Sequence, residues 1–421
     1  MPSKNSITIC GAGIAGVATA YYLLKKNKNI EVILVDKNQP LSFTTSKSGE
    51  NFRDYWPQKQ MRNFVSDSIL LMQELKEMYG EDVFEMKYTG YNFISHDVDN
   101  PIFKFDSQED LTRYIEEITA IDEIQNEHSY LEKGIRKIVK IKNAGKIDVY
   151  ALGSLLLQEA RKMGLKLVEG EIIRIDKKDT NYQIVLDSLK TISTTKLVIA
   201  TGPFINVIAG LLGIQFPITN TLQRKFIIPD PKGIIPKNMP FTIYADSQYL
   251  NWSDEETAFF ASEEKYKWLL NKFPGGLHIK PETEGIKLGW AFQTTNVKPQ
   301  WDVPGFEFFP QAVLKGASTF IPELAAYENN IPTPLIEYAG YYTRTNENWP
   351  LIGPTNLENV FVIGALAGYG TMSACAAGKL CSSYILNESE YPDYAQYFHP
   401  NRYDNATLVK EMNALKSDGQ L

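Results

Sequence analysis

Three glycines near the amino terminus, Gly11, Gly13 and Gly16, form the pattern G-x-G-x-x-G after an apolar segment typical of a strand. Apolar residues at helical spacing follow the pattern. Glycine here permits a tight turn, close approach of the backbone to a pyrophosphate, and packing of the helix on the strand. A second apolar strand ends at Asp36, about 20 residues past the last glycine, where a carboxylate can accept hydrogen bonds from ribose hydroxyls. This pattern predicts binding of FAD or NAD; a glycine-rich turn without a ligand is the alternative.

Composition excludes several classes of protein. The 421 residues are too many for one compact core, so two domains are expected. The formal charge of −7 argues against nucleic acid as a partner. The cysteines Cys10, Cys375 and Cys381 show no paired spacing and the four histidines no partner motif, so neither disulfides nor a metal site are predicted. We expect a cytoplasmic protein without a signal peptide, because the first strand begins by Ser6.

One uncharged segment, residues 359–378, has about the length of a membrane span. Its glycines, together with Thr371 and Ser373, make it poorly apolar. The pattern therefore predicts a strand, a glycine-rich loop and a helix, with a transmembrane helix as the alternative.

The order of elements predicts an α/β fold in which a Rossmann-type FAD-binding domain carries an inserted α+β, antiparallel-sheet substrate domain. Apolar strands that end in glycine return to the first sheet near residues 197–202 and 360–364, whereas residues 216–339 show aromatic alternation and frequent proline. The predicted FAD-binding domain comprises residues 1–90, 148–215 and 340–388, and the substrate domain comprises residues 91–147 and 216–339. Residues 389–421 are expected to pack on the body as a tail. The sequence leaves open whether the protein is a monomer or a homodimer.

Five segments together resemble the D-amino-acid oxidase superfamily of FAD-dependent oxidoreductases, and within it the sarcosine oxidase and dimethylglycine dehydrogenase branch. They are residues 11–16, 46–53, 168–175 with 200–203, 340–354, and 364–372. The fourth is similar to the family's signature of a tyrosine, T-P-D and P-L-I-G-P. In this chain Asn346 and Glu347 replace the proline and the aspartate.

The resemblance implies FAD as the cofactor and assigns contacts to it. The last glycine-rich loop and the helix after it would stabilise negative charge on the reduced flavin. The expected cofactor-binding residues are Gly11, Gly13, Ile14, Ala15, Gly16, Asp36, Lys37, Thr45, Ser46, Lys47, Gly49, Ile172, Thr201, Gly202, Gly364, Gly368, Tyr369, Gly370, Thr371 and Met372. Some relatives attach flavin through a cysteine near the position of Gly340 or Tyr341, or through a histidine at that of Lys47. Neither nucleophile is present here, so FAD is predicted to be held non-covalently.

Arginine is the natural ligand for a substrate carboxylate, because its planar fork forms two parallel hydrogen bonds. Arg53 and Arg344 lie in segments that the resemblance places beside the flavin ring. Each has a structural alternative: Arg53 could pair with Glu50 or Asp54, and Arg344 with Glu347. For Arg224 a salt bridge or a helix cap is the favoured role.

Lys287 lies in a G-I-K-L-G-W strand that is similar to the G-L-K-L-G-Y strand of monomeric sarcosine oxidase. There the lysine sits over the flavin and speeds electron transfer to oxygen; the alternative is a solvent-facing strand lysine beside Glu282 and Glu284. Trp252, Trp290, Phe292 and Tyr342 could line a substrate site or belong to a core.

These observations predict an FAD enzyme that oxidises the C–N bond of a small amine or amino acid, with hydride transfer to flavin N5, an imine product and reoxidation by O2. Lys287, Arg344, Arg53 and Tyr342 are the candidate catalytic residues. The alternative is a dehydrogenase of an amino acid or 2-hydroxy acid that passes electrons to a quinone or an electron-transfer protein. A flavoprotein whose FAD is structural is a third possibility.

Overall fold

The computed structural model describes residues 5–103 and 111–414. Its strands are β1 (Ser6–Cys10), β2 (Glu31–Asp36), β3 (Asn51–Arg53), β4 (Met86–Lys87), β5 (Tyr91–Ser95), β6 (Ile115–Ile118), β7 (Lys137–Ile141), β8 (Ala144–Ile147), β9 (Lys166–Glu169), β10 (Ile172–Lys178), β11 (Asn181–Leu186), β12 (Thr191–Thr194), β13 (Lys196–Ile199), β14 (Ile218–Ile228), β15 (Phe241–Tyr244), β16 (Leu277–Glu282), β17 (Gly285–Trp290), β18 (Ile336–Thr345), β19 (Leu351–Pro354) and β20 (Val360–Gly364).

The α-helices are α1 (Ile14–Lys26), α2 (Lys59–Tyr79), α3 (Leu111–Tyr114), α4 (Ile121–Glu127), α5 (Val149–Lys162), α6 (Ile205–Gly210), α7 (Asp254–Ser262), α8 (Phe309–Ala317), α9 (Gly370–Leu386), α10 (Ala395–Phe398) and α11 (Ala406–Ala414). Short 3-10 helices occupy Thr44–Lys47, Gly202–Phe204, Glu264–Leu270, Pro322–Tyr327 and Pro400–Asp404.

A six-stranded sheet has the order β19-β20-β13-β1-β2-β9, and its strands are parallel except for β19. Strands β1 and β20 are buried along their length, as expected for a sheet that is covered on both faces. Helix α1 packs against both α5 and α9 beside the sheet, and a Cβ at Gly378 in α9 would lie 2.6 Å from the backbone of Ala18 in α1. The sheet therefore places the ends of β1, β2 and β13 side by side.

An eight-stranded sheet has the order β18-β14-β17-β16-β15-β5-β7-β6. Neighbouring strands are antiparallel apart from β15 and β5, which are parallel. One face packs on α8 through side chains such as Phe226, Leu288 and Trp290. Because side chains alternate along a strand, the residues between them, among them Lys225 and Gly289, lie on the opposite face. The expected combination of a Rossmann-type domain with an antiparallel-sheet domain is confirmed.

The division into domains at the stated residues stays a prediction. Strand β18 crosses the boundary placed at residue 340, because it pairs with β14 from Ile336 to Thr345. In the tail, Tyr394 and Phe398 pack on Phe64 of α2, while residues 415–421 lie outside the described part of the chain.

The uncharged segment at residues 359–378 forms strand β20, a loop and the start of α9, as predicted. Within residues 5–103 and 111–414, no helix combines the length and the apolar character needed to cross a membrane.

Candidate active site

A cavity lies at the carboxyl ends of β1, β2 and β13; we call it the cofactor cavity. At its base Gly11 has φ of +106°, and a Cβ there would lie 2.5 Å from the carbonyl oxygen of Ala200. A Cβ at Gly16 would lie 2.0 Å from the carbonyl oxygen of Gly11. Only glycine fits these two positions, so the backbone of the turn and the amino terminus of α1 stay accessible to a ligand.

Asp36 helps to hold the same turn, because its Oδ2 accepts a 2.7 Å hydrogen bond from the backbone N–H of Ala12. Its Oδ1 accepts a 2.9 Å bond from the N–H of Asn38. Burial raises the pKa of Asp36, against the effect of these bonds. The carboxylate lies at the cavity wall, where ribose hydroxyls would be expected.

Most of the predicted cofactor-binding residues line this one cavity, although they are spread over the chain. They are Gly11, Gly13, Ile14, Ala15, Asp36, Lys37, Thr45, Lys47, Gly49, Ile172, Thr201, Gly202, Gly364, Gly368, Gly370 and Thr371. Gly16 acts through the packing of the turn. The Ser46 hydroxyl is directed away and donates to the carbonyls of Ser42 and Phe43 at 2.8 and 2.7 Å.

Two features of the cavity fit a dinucleotide. The hydroxyls of Thr44 and Thr201 are buried without a hydrogen-bond partner, and both residues line the cavity. The amino termini of α1 and α9 also reach it, so backbone N–H groups and helix dipoles would favour negatively charged groups. The residues present therefore fit an adenine dinucleotide.

A second cavity adjoins the first and shares with it Ser48, Gly49, Lys225, Tyr342 and Gly368. Tyr342 and Gly368 touch at this junction, since a Cβ at Gly368 would lie 2.5 Å from Cζ of Tyr342. The wall of the second cavity includes the aromatic residues Trp56, Tyr91, Phe93, Phe241, Phe292 and Tyr369, with Met372 beside them. Tyr369 and Met372 thus lie at the second cavity, although they were predicted to bind the cofactor.

Both candidate arginines line this second cavity. Arg53 is 3% exposed, and its guanidinium lies 4.6 Å from the ring centroid of Trp56 and 5.2 Å from that of Tyr91. Arg344 lies 5.7 Å from the ring of Tyr342, and its Nε is buried without a hydrogen-bond partner.

The carboxylate that could have paired with Arg344 has another partner. Glu347 accepts a 2.9 Å hydrogen bond from Nε of Arg402, which is fully buried, and a 2.8 Å bond from the hydroxyl of Tyr403. Arg224, by contrast, pairs with Glu337 at 3.5 Å and lines neither cavity, in agreement with a structural role.

Lys287 does not line either cavity. It is buried and forms ion pairs with Glu282 at 2.6 Å and Glu50 at 3.4 Å. It is therefore not the solvent-facing strand lysine that was the alternative to a role over the flavin. Burial opposes its charge, but Tyr338 and the two carboxylates raise the pKa of Lys287. Along β17 it lies two residues from Gly289, on the same face of the sheet, and Gly289 pairs with the cavity-lining Lys225 of β14.

Sequence reasoning missed Lys225, which lines both cavities where they meet. Its ammonium lies 5.6 Å from the ring of Tyr342. Burial, together with the charge of Lys287, lowers the pKa of Lys225 to about 8. Alternation along β14 could have revealed it, because Lys225 and Arg224 must face opposite sides of the sheet.

His278 also lines the second cavity, though the sequence indicated no role for it. Its Nδ1 lies 3.0 Å from the carbonyl oxygen of Gly276. Burial and the nearby charge of Lys225 lower the pKa of His278 to about 3, so the ring is neutral at physiological pH. Of the four aromatic candidates, Phe292 and Tyr342 line the cavity, whereas Trp252 and Trp290 pack in the core between the sheet and α8.

A family model described as FAD dependent oxidoreductase, abbreviated DAO, matches residues 6–383. The chain belongs to this DAO family. The enzymes of the family depend on FAD, so the dinucleotide that the cofactor cavity fits is FAD and the protein is an FAD-dependent oxidoreductase.

Solved structures share the fold of this DAO-family member. L-proline dehydrogenase from P. horikoshii is 21% identical with a TM-score of 0.72, over 96% of this chain and 99% of that chain. Glycine oxidase from Bacillus cereus ATCC 14579 is 14% identical with a TM-score of 0.71, over 92% and 96%. NikD, an unusual amino acid oxidase essential for nikkomycin biosynthesis, is 16% identical with a TM-score of 0.72, over 94% and 98%.

A comparison with curated protein sequences finds no significant match. Membership of the sarcosine oxidase and dimethylglycine dehydrogenase branch stays a prediction.

Proposed function

We propose that this protein oxidises the C–N bond of a small amino acid or amine and that O2 reoxidises the flavin. The observation that carries the proposal is the second cavity, which lies beside the cofactor cavity and is lined by Arg53 and Arg344 together with aromatic residues. A carboxylate is the group that a buried guanidinium recognises best. The structural relatives whose names include proline, glycine and amino acid support the same class of substrate.

FAD, when bound, would accept a hydride from the carbon next to the substrate nitrogen and leave an imine. The residues that would hold it are those of the cofactor cavity, from the glycine turn at Gly11 to the loop that ends at Thr371. Tyr342 and Gly368 lie where the two cavities meet, so they would border the reacting atoms.

The residues of the chain would bind and orient the substrate rather than supply strong acid–base chemistry. Arg344 has a buried Nε without a partner, and this N–H is available to a substrate carboxylate. The rings around Arg53 exclude water, which strengthens any ion pair formed there. The pKa of His278 is about 3, so this neutral ring would not repel an ammonium substrate.

Lys225 favours an oxidase, because a cation at the junction of the cavities would stabilise superoxide as it forms. The alternative is a dehydrogenase that passes electrons from an amino acid or 2-hydroxy acid to a quinone or an electron-transfer protein. The ion pairs of Lys287 favour this alternative, since two carboxylates offset the charge of the lysine that the resemblance singled out.

The test is an anaerobic screen of the purified holoenzyme with N-methyl amino acids, D- and L-amino acids, cyclic imino acids, polyamines and 2-hydroxy acids. Bleaching of the flavin by an amino acid or amine, with rapid return of colour in air, is the expected result. Slow return would favour the dehydrogenase. Bleaching by hydroxy acids alone, or by none of the compounds, would contradict the proposal.

A further inference from the structure

Four aromatic residues from distant parts of the chain meet at the cofactor cavity: Phe43, Phe204, Trp301 and Tyr341. Trp301 is stacked on Phe204 with ring centroids 4.5 Å apart and planes inclined by 16°. Its ring centroid also lies 4.7 Å from that of Phe43. The ammonium of Lys37 lies 5.0 Å from the indole, so Trp301 contacts a cation at the same wall.

The position of this cluster follows from the order of strands. Lys37 and Phe43 come after β2, and Phe204 comes after β13. Strands β2 and β13 flank β1 in the sheet, and the glycine turn follows β1. Trp301 therefore contacts residues that follow the strands on both sides of β1, and all of these residues line the cofactor cavity.

The segment that carries Trp301, residues 291–304, has no regular secondary structure but is fixed to the eight-stranded sheet. Val297 donates a 2.9 Å backbone hydrogen bond to the carbonyl of Asn220 in β14. The N–H of Gln300 donates a 2.9 Å bond to the hydroxyl of Tyr341 in β18. These bonds hold the residue before Trp301 in place, so the indole is positioned before any ligand arrives.

Trp301 is 36% exposed even though its ring contacts two aromatic rings and a lysine. Lys37 is held at the cavity by a second contact, an ion pair of 3.0 Å with Glu171, which also lines the cavity. A flat aromatic surface beside a cation suits the adenosine and pyrophosphate part of a dinucleotide, which presents a ring system and negative charge.

We propose that Trp301 closes the cofactor cavity over the adenosine diphosphate half of FAD, which is thereby held between the indole and the glycine turn. A residue of the segment that follows β17 of the eight-stranded sheet thus becomes part of the cofactor site. The proposal depends on the identity of the cofactor and not on the identity of the substrate.

The experiment compares FAD retention by the wild-type holoenzyme with that of W301A, W301F and the control W252A. Trp252 is half-buried and lines neither cavity. Each holoenzyme is diluted to a series of concentrations, free FAD is separated by ultrafiltration, and the Kd is taken from flavin fluorescence. ADP is then added as a competitor, and its Ki is taken from the FAD it displaces.

We expect W301A to raise the Kd for FAD at least tenfold and the Ki for ADP by a similar factor. W301F should keep both within about threefold of wild type because it retains a ring, and W252A should change neither. An unchanged Kd in W301A would overturn the proposal, as would an equal rise in W252A. A raised Kd with an unchanged Ki for ADP would place the indole at the flavin half and would also overturn it.

A second measurement does not depend on the folding of the alanine variant. Release of FAD should increase indole emission, and this increase should be markedly smaller in W301F than in W252F. Equal increases in the two phenylalanine variants would contradict a contact between Trp301 and the cofactor.

Discussion

At the scale of single residues, the second cavity is defined by which charges are compensated and which are not. Arg402 from the tail binds Glu347 and also donates to the backbone carbonyl of Pro350, so the carboxylate nearest in sequence to Arg344 is already in use. Lys287 is likewise compensated by Glu282 and Glu50. We therefore expect substitution of Arg344 to affect substrate binding most strongly and substitution of Lys225 to affect the reaction with oxygen most strongly.

Arg344→Ala should lower kcat/KM for a carboxylate substrate by about 10- to 100-fold, because a charge-assisted hydrogen bond to a buried group contributes roughly 1.5–3 kcal/mol. The loss should appear mainly in KM. The amine that lacks the carboxylate serves as the internal control, and its kcat/KM should change little. If both substrates lose the same factor, or if neither does, Arg344 does not bind the carboxylate.

Lys225→Met should slow flavin reoxidation by O2 by more than about tenfold, roughly 1.4 kcal/mol, and leave anaerobic reduction nearly intact. Lys287→Met is the matched comparison, and a smaller effect is expected because carboxylates offset its charge.

The pKa of Lys225 is about 8, so the protonated form that assists oxygen is lost as the pH rises through that value. Stopped-flow reoxidation should therefore slow above about pH 8 in wild type and not in Lys225→Met. The same pH profile in both would remove Lys225 from the oxygen step.

At the scale of elements, local patterns predicted the elements with strong periodicity and missed their ends. The apolar spacing of Ile69, Met72, Leu75 and Met78 predicts a helix over 69–78, whereas α2 runs over Lys59–Tyr79. Aromatic and polar residues at the start of α2 obscure the apolar spacing there. The apolar spacing after residue 154 predicts a helix over 154–163, whereas α5 begins at Val149. Asp148 caps α5, because its side chain accepts a 2.8 Å hydrogen bond from the backbone N–H of Ala151.

The parallel pair β5 and β15 ends in a polar cluster that sequence reasoning did not reveal. The backbone N–H of His96 donates to Asp246 at 2.7 Å, and its ring nitrogens lie 2.9 Å from the Tyr244 hydroxyl and 3.0 Å from Glu132. Asp246 and Glu132 raise the pKa of His96. The His96 ring thus joins elements that are far apart in sequence.

His96→Asn should lower Tm most under mildly acidic conditions. Because the pKa of His96 is raised by folding, its contribution to stability is complete below its unfolded pKa of about 6.5 and is lost as the pH rises through the folded value. The difference in Tm from wild type should therefore be larger at about pH 5.5 than at about pH 9. His128→Asn is the control, since burial lowers the pKa of His128 and its pH dependence should have the opposite sign. A difference in Tm that does not change with pH would contradict the charged role of His96.

At the scale of the whole molecule, the cofactor cavity collects residues from Gly11 to Thr371. The glycine turns could be predicted because their spacing is local and has a steric cause. Trp301 could not, because it lies in an irregular segment whose position is set by hydrogen bonds to β14 and β18. Lys225 and Lys287 share a sheet face, so alternation assigns the face but does not show that Lys225, and not Lys287, lines the cavities.

The cofactor cavity is lined by residues of both large sheets, and this predicts how FAD changes the stability of the folded state. Residues of the six-stranded sheet and of β14 and β18 all line it, so bound FAD should stabilise the folded state as a whole. If FAD is held non-covalently, as the residues at positions 47, 340 and 341 indicate, free FAD at 100 times its Kd should stabilise the fold by about 2.7 kcal/mol. Tm should then rise with added FAD, and acid precipitation should leave all the yellow colour in the supernatant. If added FAD does not change Tm and the colour stays in the pellet, FAD is linked covalently.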